Sequence, residues 1–178
     1  VWQLHLDYII RKKLRLSANL LFDEFVLDPH IQIGKIHGDA LSLRVSYVYA
    51  DTKAYSLIPF ISIIQIGTPT FRHSKGTNNF VNNAIPLGWQ HGSDGNEFKV
   101  GFKNMNNLKK TIADLSYESI NIGQNSIIYR HYDPYKLEDY QKGKFPSGNE
   151  SKINLINIKY YWNLSSRLNL LFCFKSSH

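Results

Sequence analysis

Two stretches of the chain gather side chains able to grip a sugar ring. The first, within residues 67–95, carries Trp89, Gln90, His91 and Asp94; the second, within residues 122–151, carries Tyr129, Arg130, Tyr132 and Tyr135. A sugar offers an apolar face and a rim of hydroxyls, so its recognition calls for aromatic plates bordered by amide, carboxylate, imidazole and guanidinium groups. Both stretches supply that mixture, and these residues are the expected polysaccharide contacts. The competing expectation is that the aromatics pack the loops onto the body beneath them, as in a compact Ω-loop.

Other chemistry has less support in the sequence. There is no G-x-S-x-G nucleophile elbow, no H-E-x-x-H and no P-loop, and the carboxylates Glu138 and Asp139 are merely adjacent, so a non-enzymatic protein is expected. His91 with Asp94, or His131 with Asp133, falls short of a metal-ligand set, and Asp94 before Gly95 is a good turn, so neither a metal nor a cofactor is expected. The single cysteine, Cys173, has no partner within the chain for a disulfide. The net charge of +7 comes from scattered residues, some of it in Arg11, Lys12, Lys13, Lys109 and Lys110. That scatter suits lipid headgroups or an anionic glycan better than nucleic acid.

The elements that position these residues show a period of two. Leu14, Leu16, Ala18, Leu20 and Phe22 alternate with Arg15, Ser17, Asn19 and Asp23; Leu41, Leu43, Val45 and Tyr47 alternate with Ser42, Arg44 and Ser46. Similar runs centre on Leu4, Val100, Leu115, Ile158 and Phe172, whereas residues 60–66 fit the pattern poorly. About eight such segments follow, and most have roughly the 9 to 11 residues that a tilted strand needs to cross a bilayer core. Their connections alternate between short and long. Turns are expected near residues 11–13, 51–55, 104–107 and 164–166, a moderate loop at 28–38, and long loops at 67–95 and 122–151.

Charged residues on the polar faces, aromatic residues near segment ends and alternating connection lengths together predict an all-β fold, an antiparallel transmembrane β-barrel in a bacterial outer membrane. Arg15, Asp23, Arg44, Glu97, Lys99, Asp114 and Glu118 are the expected lumen-facing residues. With the turns on the periplasmic side, both ends of the chain would lie outside, and no export signal precedes the first segment. Residues 1–178 are therefore read as one segment of about eight strands from a larger barrel.

Four pieces carry a family resemblance: LLFDEFVLDP (residues 20–29), the aromatic pair Tyr47 and Tyr49, AIPLGWQHGSDGNEF (84–98) and LSYESINIG (115–123). In this order the chain resembles the capsule-assembly Wzi family over residues 14–123. The most specific piece is P-L-G followed by G-S-D, then F-D-E-F-x-x-D. The resemblance implies an outer-membrane barrel that binds capsular polysaccharide as a lectin does and helps attach or assemble it at the cell surface. It also leads one to expect earlier strands, a periplasmic helical portion and an export signal, which these residues do not contain. It supplies no individual sugar ligand, so the site residues rest on loop chemistry. Two alternatives stay open, a passive or substrate-selective porin and a soluble β-sandwich binding module.

Overall fold

A computed structural model describes residues 1–177 apart from 25–26, 29, 31–35, 74, 135–142 and 166–167. The period-two segments become long antiparallel strands: β1 (Trp2–Ile10), β2 (Leu14–Glu24), β3 (Gly38–Tyr47), β5 (Tyr55–Ile66), β8 (Gly95–Asn106), β9 (Thr111–Ile122), β10 (Ser151–Ser165) and β11 (Leu168–Ser177). They pair in the order β1-β2-β3-β5-β8-β9-β10-β11, with the short β4 (Ala50–Asp51) beside β5, giving one nine-stranded sheet. A separate two-stranded hairpin, β6 (Val81–Asn82) with β7 (Ile85–Pro86), stands in the long connection between β5 and β8. The sheet is open: among the described residues β1 and β11 do not pair with each other.

Register separates the two faces of the sheet cleanly. Val45, Ile61, Val100, Tyr117 and Ile156 are successive cross-strand partners on one face. One residue along, Arg44, Ser62, Lys99, Glu118 and Leu155 are partners on the other. A slip of one residue would exchange the two sets, so the alternation fixes the register. The distribution is the reverse of a water-soluble sheet. Ile61 is 48% exposed, and Leu4, Tyr8, Phe98, Ile158, Trp162, Phe172 and Phe174 are also exposed on the apolar face, while Glu118 on the charged face is only 4% exposed. The charged face is here called the inner face.

Residues 60–66 lack alternation because β5 is apolar on both sides. Ile61 and Ile63 lie outward; Phe60 and Ile66 lie inward and are buried. Pro59 is tolerated because it falls in a gap. The last β3 pair is Ser46 with Phe60 and the β4 ladder resumes only at Leu57, so the missing proline N–H interrupts neither ladder.

The turn expected at residues 104–107 is displaced. β8 runs on through Asn106, which pairs with Thr111, and the turn occupies 107–110. The Asn106 side chain serves that turn from the last strand position by accepting the Lys109 backbone N–H at 2.9 Å, which explains why asparagines mark the wrong residues as the turn. Residues 164 and 165, expected in the last turn, belong to β10; the connection that follows lies outside the described residues. The turn after β4 falls where the sequence places it, with Thr52 Oγ1 accepting the backbone N–H of Tyr55 at 3.0 Å.

The short turns share one end of the sheet and the long connections the other. At the loop end the inner face becomes apolar, and Ala40, Ile66, Ile120, Ile122 and Leu155 form a core with Trp89 from the first long loop. Each fully buried isoleucine contributes about 1.5–3 kcal/mol relative to exposure, so this core holds the loops against the sheet.

Candidate functional site

Asp94 ties the two long loops together. It has positive φ (55°), a conformation that aspartate tolerates better than most residues, and it is 0% exposed. Its Oδ1 accepts from Thr68 Oγ1 at 2.7 Å and from the Ser147 backbone N–H at 3.0 Å; its Oδ2 accepts from the Asn125 backbone N–H at 3.1 Å and from the Ser147 hydroxyl. Its carbonyl takes the Gly123 N–H at 2.7 Å. A Cβ at Gly123 would collide with the Asp94 carboxylate, so glycine is what lets the loops close on this point.

Further bonds repeat the pattern. The Ser126 hydroxyl donates to the His91 carbonyl at 3.2 Å and accepts the Ser93 N–H at 3.3 Å, while Asn79 Nδ2 donates to the carbonyls of His131 and Asp133, each at 3.1 Å. Arg72 Nη2 donates to the Asn125 carbonyl. The sheet is tied in as well: Asp23 Oδ2 accepts the Phe71 N–H at 2.8 Å, and the Asp39 carbonyl accepts Gly67 N–H at 2.8 Å and Thr70 Oγ1 at 2.6 Å.

The expected sugar contacts divide into two groups. Trp89 and Asp94 are corrected to structural residues. Trp89 is 8% exposed, donates Nε1–H to Glu97 at 2.8 Å and meets the His91 ring edge-on at 5.1 Å. A plate enclosed in this way has no face for a sugar, and a carboxylate already accepting four hydrogen bonds has little capacity left for hydroxyls. Tyr129 and Tyr132, by contrast, are 53% and 50% exposed. The Tyr129 hydroxyl donates to Ser151 Oγ at 3.2 Å, and the Tyr132 hydroxyl accepts the Ala84 N–H at 3.1 Å, so each ring is held by its tip with its body open to solvent. Arg130, half-buried, lies between them in sequence. Tyr135 lies outside the described residues.

Gln90 is exposed and 3.0 Å from the His91 ring nitrogen. It also borders a polar cavity of about 200 Å³ on the inner face with Lys99, Asp114, Glu118, Asn157 and Lys159. There Lys99 pairs with Glu118, which also accepts Asn157 Nδ2 at 2.8 Å. Arg15, Arg44, Glu97, Lys99, Asp114 and Glu118 thus share the charged face.

The sequence reading missed Phe80, Ile85 and Leu87. All three are exposed, and they flank or lie on the β6–β7 hairpin whose turn residue Ala84 is bonded to Tyr132. Asn83 and Ala84 both have positive φ (49° and 62°), the geometry of a tight two-residue hairpin. The asparagine run was the available signal. The bond joins the hairpin turn to the tip of the Tyr132 ring, and Phe80, Ile85, Leu87, Tyr129 and Tyr132 are all exposed on the long loops.

Outside the strands, the Lys144 ammonium holds the Glu150 carboxyl below the usual carboxylate range. The cause is first their hydrogen bond, opposed by partial desolvation, then the charges of Lys144 and Lys152.

Comparison with protein-family models, with curated proteins and with solved structures returns no match to this chain.

Proposed function

We propose that the chain is part of an outer-membrane β-barrel that binds capsular or other surface polysaccharide through its long loops and helps attach or assemble it at the cell surface. The observation that carries the membrane half of this reading is the inverted polarity of the sheet. A continuous apolar face is uncovered, and charges such as Glu118 are enclosed on the other side. Lipid would satisfy the first and a wet lumen the second. A soluble β-sandwich needs a second sheet over the apolar face, and among the described residues none lies there.

The polysaccharide half is supported by the exposed Tyr129 and Tyr132 rings on loops braced from below, and by the resemblance to the capsule-assembly Wzi family over residues 14–123. A braced loop presents its rings with little ordering left to do on binding, which favours affinity for a weak, repetitive ligand. The charged cavities on the inner face favour the porin reading as a second possibility. Planar-bilayer recording separates the two, since a steady open conductance belongs to a porin.

Two tests address the halves separately. In the full-length protein in its capsulated host, Tyr129→Ala with Tyr132→Ala should release polysaccharide into the medium, with synthesis and the amount of protein in the membrane unchanged; full retention would reject the loop site. Leu43→Arg, on the apolar face, should impair assembly by about 2–4 kcal/mol near the bilayer midplane. Normal assembly of that variant would remove the lipid-facing assignment.

A further inference from the structure

At the turn end of the inner face, away from the knitted loops, β1, β2, β3, β5 and β8 border a cavity of about 490 Å³. Its lining includes Lys12, Lys13, Arg15, Arg44 and Lys103, and among the described residues no carboxylate contributes to it. Among the described residues, two acids reach these cations from outside the lining. Asp7 takes Arg15 through Nε at 2.8 Å and Nη2 at 2.6 Å, and Asp114 stands 3.9 Å from Lys103. Five cations against two acids leave the chamber positive, and its partly enclosed walls concentrate that field.

Arg44 is held in a way that keeps its donors available. Its guanidinium stacks over the Phe60 ring, 3.9 Å from the centroid, and Phe60 is buried on the inner face. Stacking uses the plane of the guanidinium and leaves its N–H edge free to form a two-point contact with an oxyanion. The ring therefore serves as a fixed backing for the cation. The same inner face, one residue out of register from Ile61 and Val45, directs these groups away from the apolar surface.

We propose that this chamber binds a solute bearing two or more oxyanion groups, carboxylate or phosphate, entering from the turn end. Several cations spread over separate strands match several separated negative groups better than a single small ion. The inference goes beyond the loop site: chamber and loops lie at opposite ends of the sheet, and either can fail while the other stands.

The test is calorimetric titration of the full chain in detergent micelles with inorganic pyrophosphate, with trigalacturonate and with neutral maltotriose. At low salt one or both anions should bind and maltotriose should not; the anion that binds identifies the group as phosphate or carboxylate. Raising the salt should weaken binding. Lys13→Gln with Arg44→Gln should weaken it about tenfold or more, while Lys109→Gln, a cation in a turn at the same end but outside the lining, should leave it unchanged. Lys103→Gln is the second variant should the double one not fold, with strand content followed by circular dichroism. Absence of binding by both anions, equal binding of maltotriose, or undiminished binding by the folded variants would overturn the proposal. So would charge-dependent capture of phosphatidylglycerol vesicles without binding of either soluble anion, which would make these residues headgroup contacts.

Discussion

The two ends of the inner face treat polar groups in opposite ways. At the loop end the buried acceptor Asp94 has four hydrogen bonds to its carboxylate, Asn79 and Ser126 bridge separate segments, and an apolar core lies beneath them. At the turn end cations outnumber acids, and Arg44 rests on an aromatic ring with its edge open to a cavity. A polar group whose capacity is spent within the protein holds the fold; one with capacity left can hold something else. The difference sets the enclosed Trp89 and Asp94 among the bracing groups, so the proposed recognition turns to the exposed tyrosines and the open chamber.

The largest expected effect comes from the braced end. Trp89→Ala should cost about 3–5 kcal/mol, because it opens a hole in the core and deprives the buried Glu97 carboxylate of its donor. Lys13→Ala at the turn end, an exposed substitution, should change stability by no more than about 0.5 kcal/mol. Urea unfolding in lipid vesicles measures both. Similar values for the two would erase the distinction between a braced and an open end.

A smaller effect isolates the hub. Asp94→Asn keeps the shape but replaces one acceptor oxygen by an NH₂ group that faces donors, so about 1–3 kcal/mol should be lost. The loss should be local: protease should cut within residues 67–94 or 123–150 before it cuts the strands. Simultaneous cleavage of strands and loops would mean that the braced end is the cooperative core of the whole sheet.

Much of the sheet was legible because alternation is a local signal that survives in a single sequence. Strands β2, β3, β8, β9 and β10 announce themselves by a charged inner face against an apolar outer one. β5 does not, since its inner residues Phe60 and Ile66 serve contacts at other places in the chain: one supports Arg44 and the other joins the loop-end core. The site was legible by composition and not by role. Trp89 and Tyr132 look alike as aromatic loop residues; what separates them is the long-range contact each makes, Trp89 with the core and Glu97, Tyr132 with the backbone of a hairpin. Phe80, Ile85 and Leu87 were passed over because exposed apolar residues in a loop have no period to reveal them.

The weakest effect sharpens the comparison from within the loop end, at a pair outside the hub. Glu150 is depressed chiefly by its hydrogen bond from Lys144, 2.7 Å away, and the lysine is well exposed. A carboxylate depressed in the folded state contributes stability that is present above its unfolded value and is lost as pH falls through the lowered folded value. This contribution should therefore vanish on the acid side, and salt should shrink it because the pair is open to solvent. A carboxyl-carbon NMR titration of Glu150 reads it directly. Lys144→Gln should return the midpoint toward the ordinary glutamate range, leaving only the weaker pull of Lys152. An unmoved midpoint would assign the depression to Lys152 and the strand, and would place Glu150 with the braced groups of the loop end instead of its solvated rim.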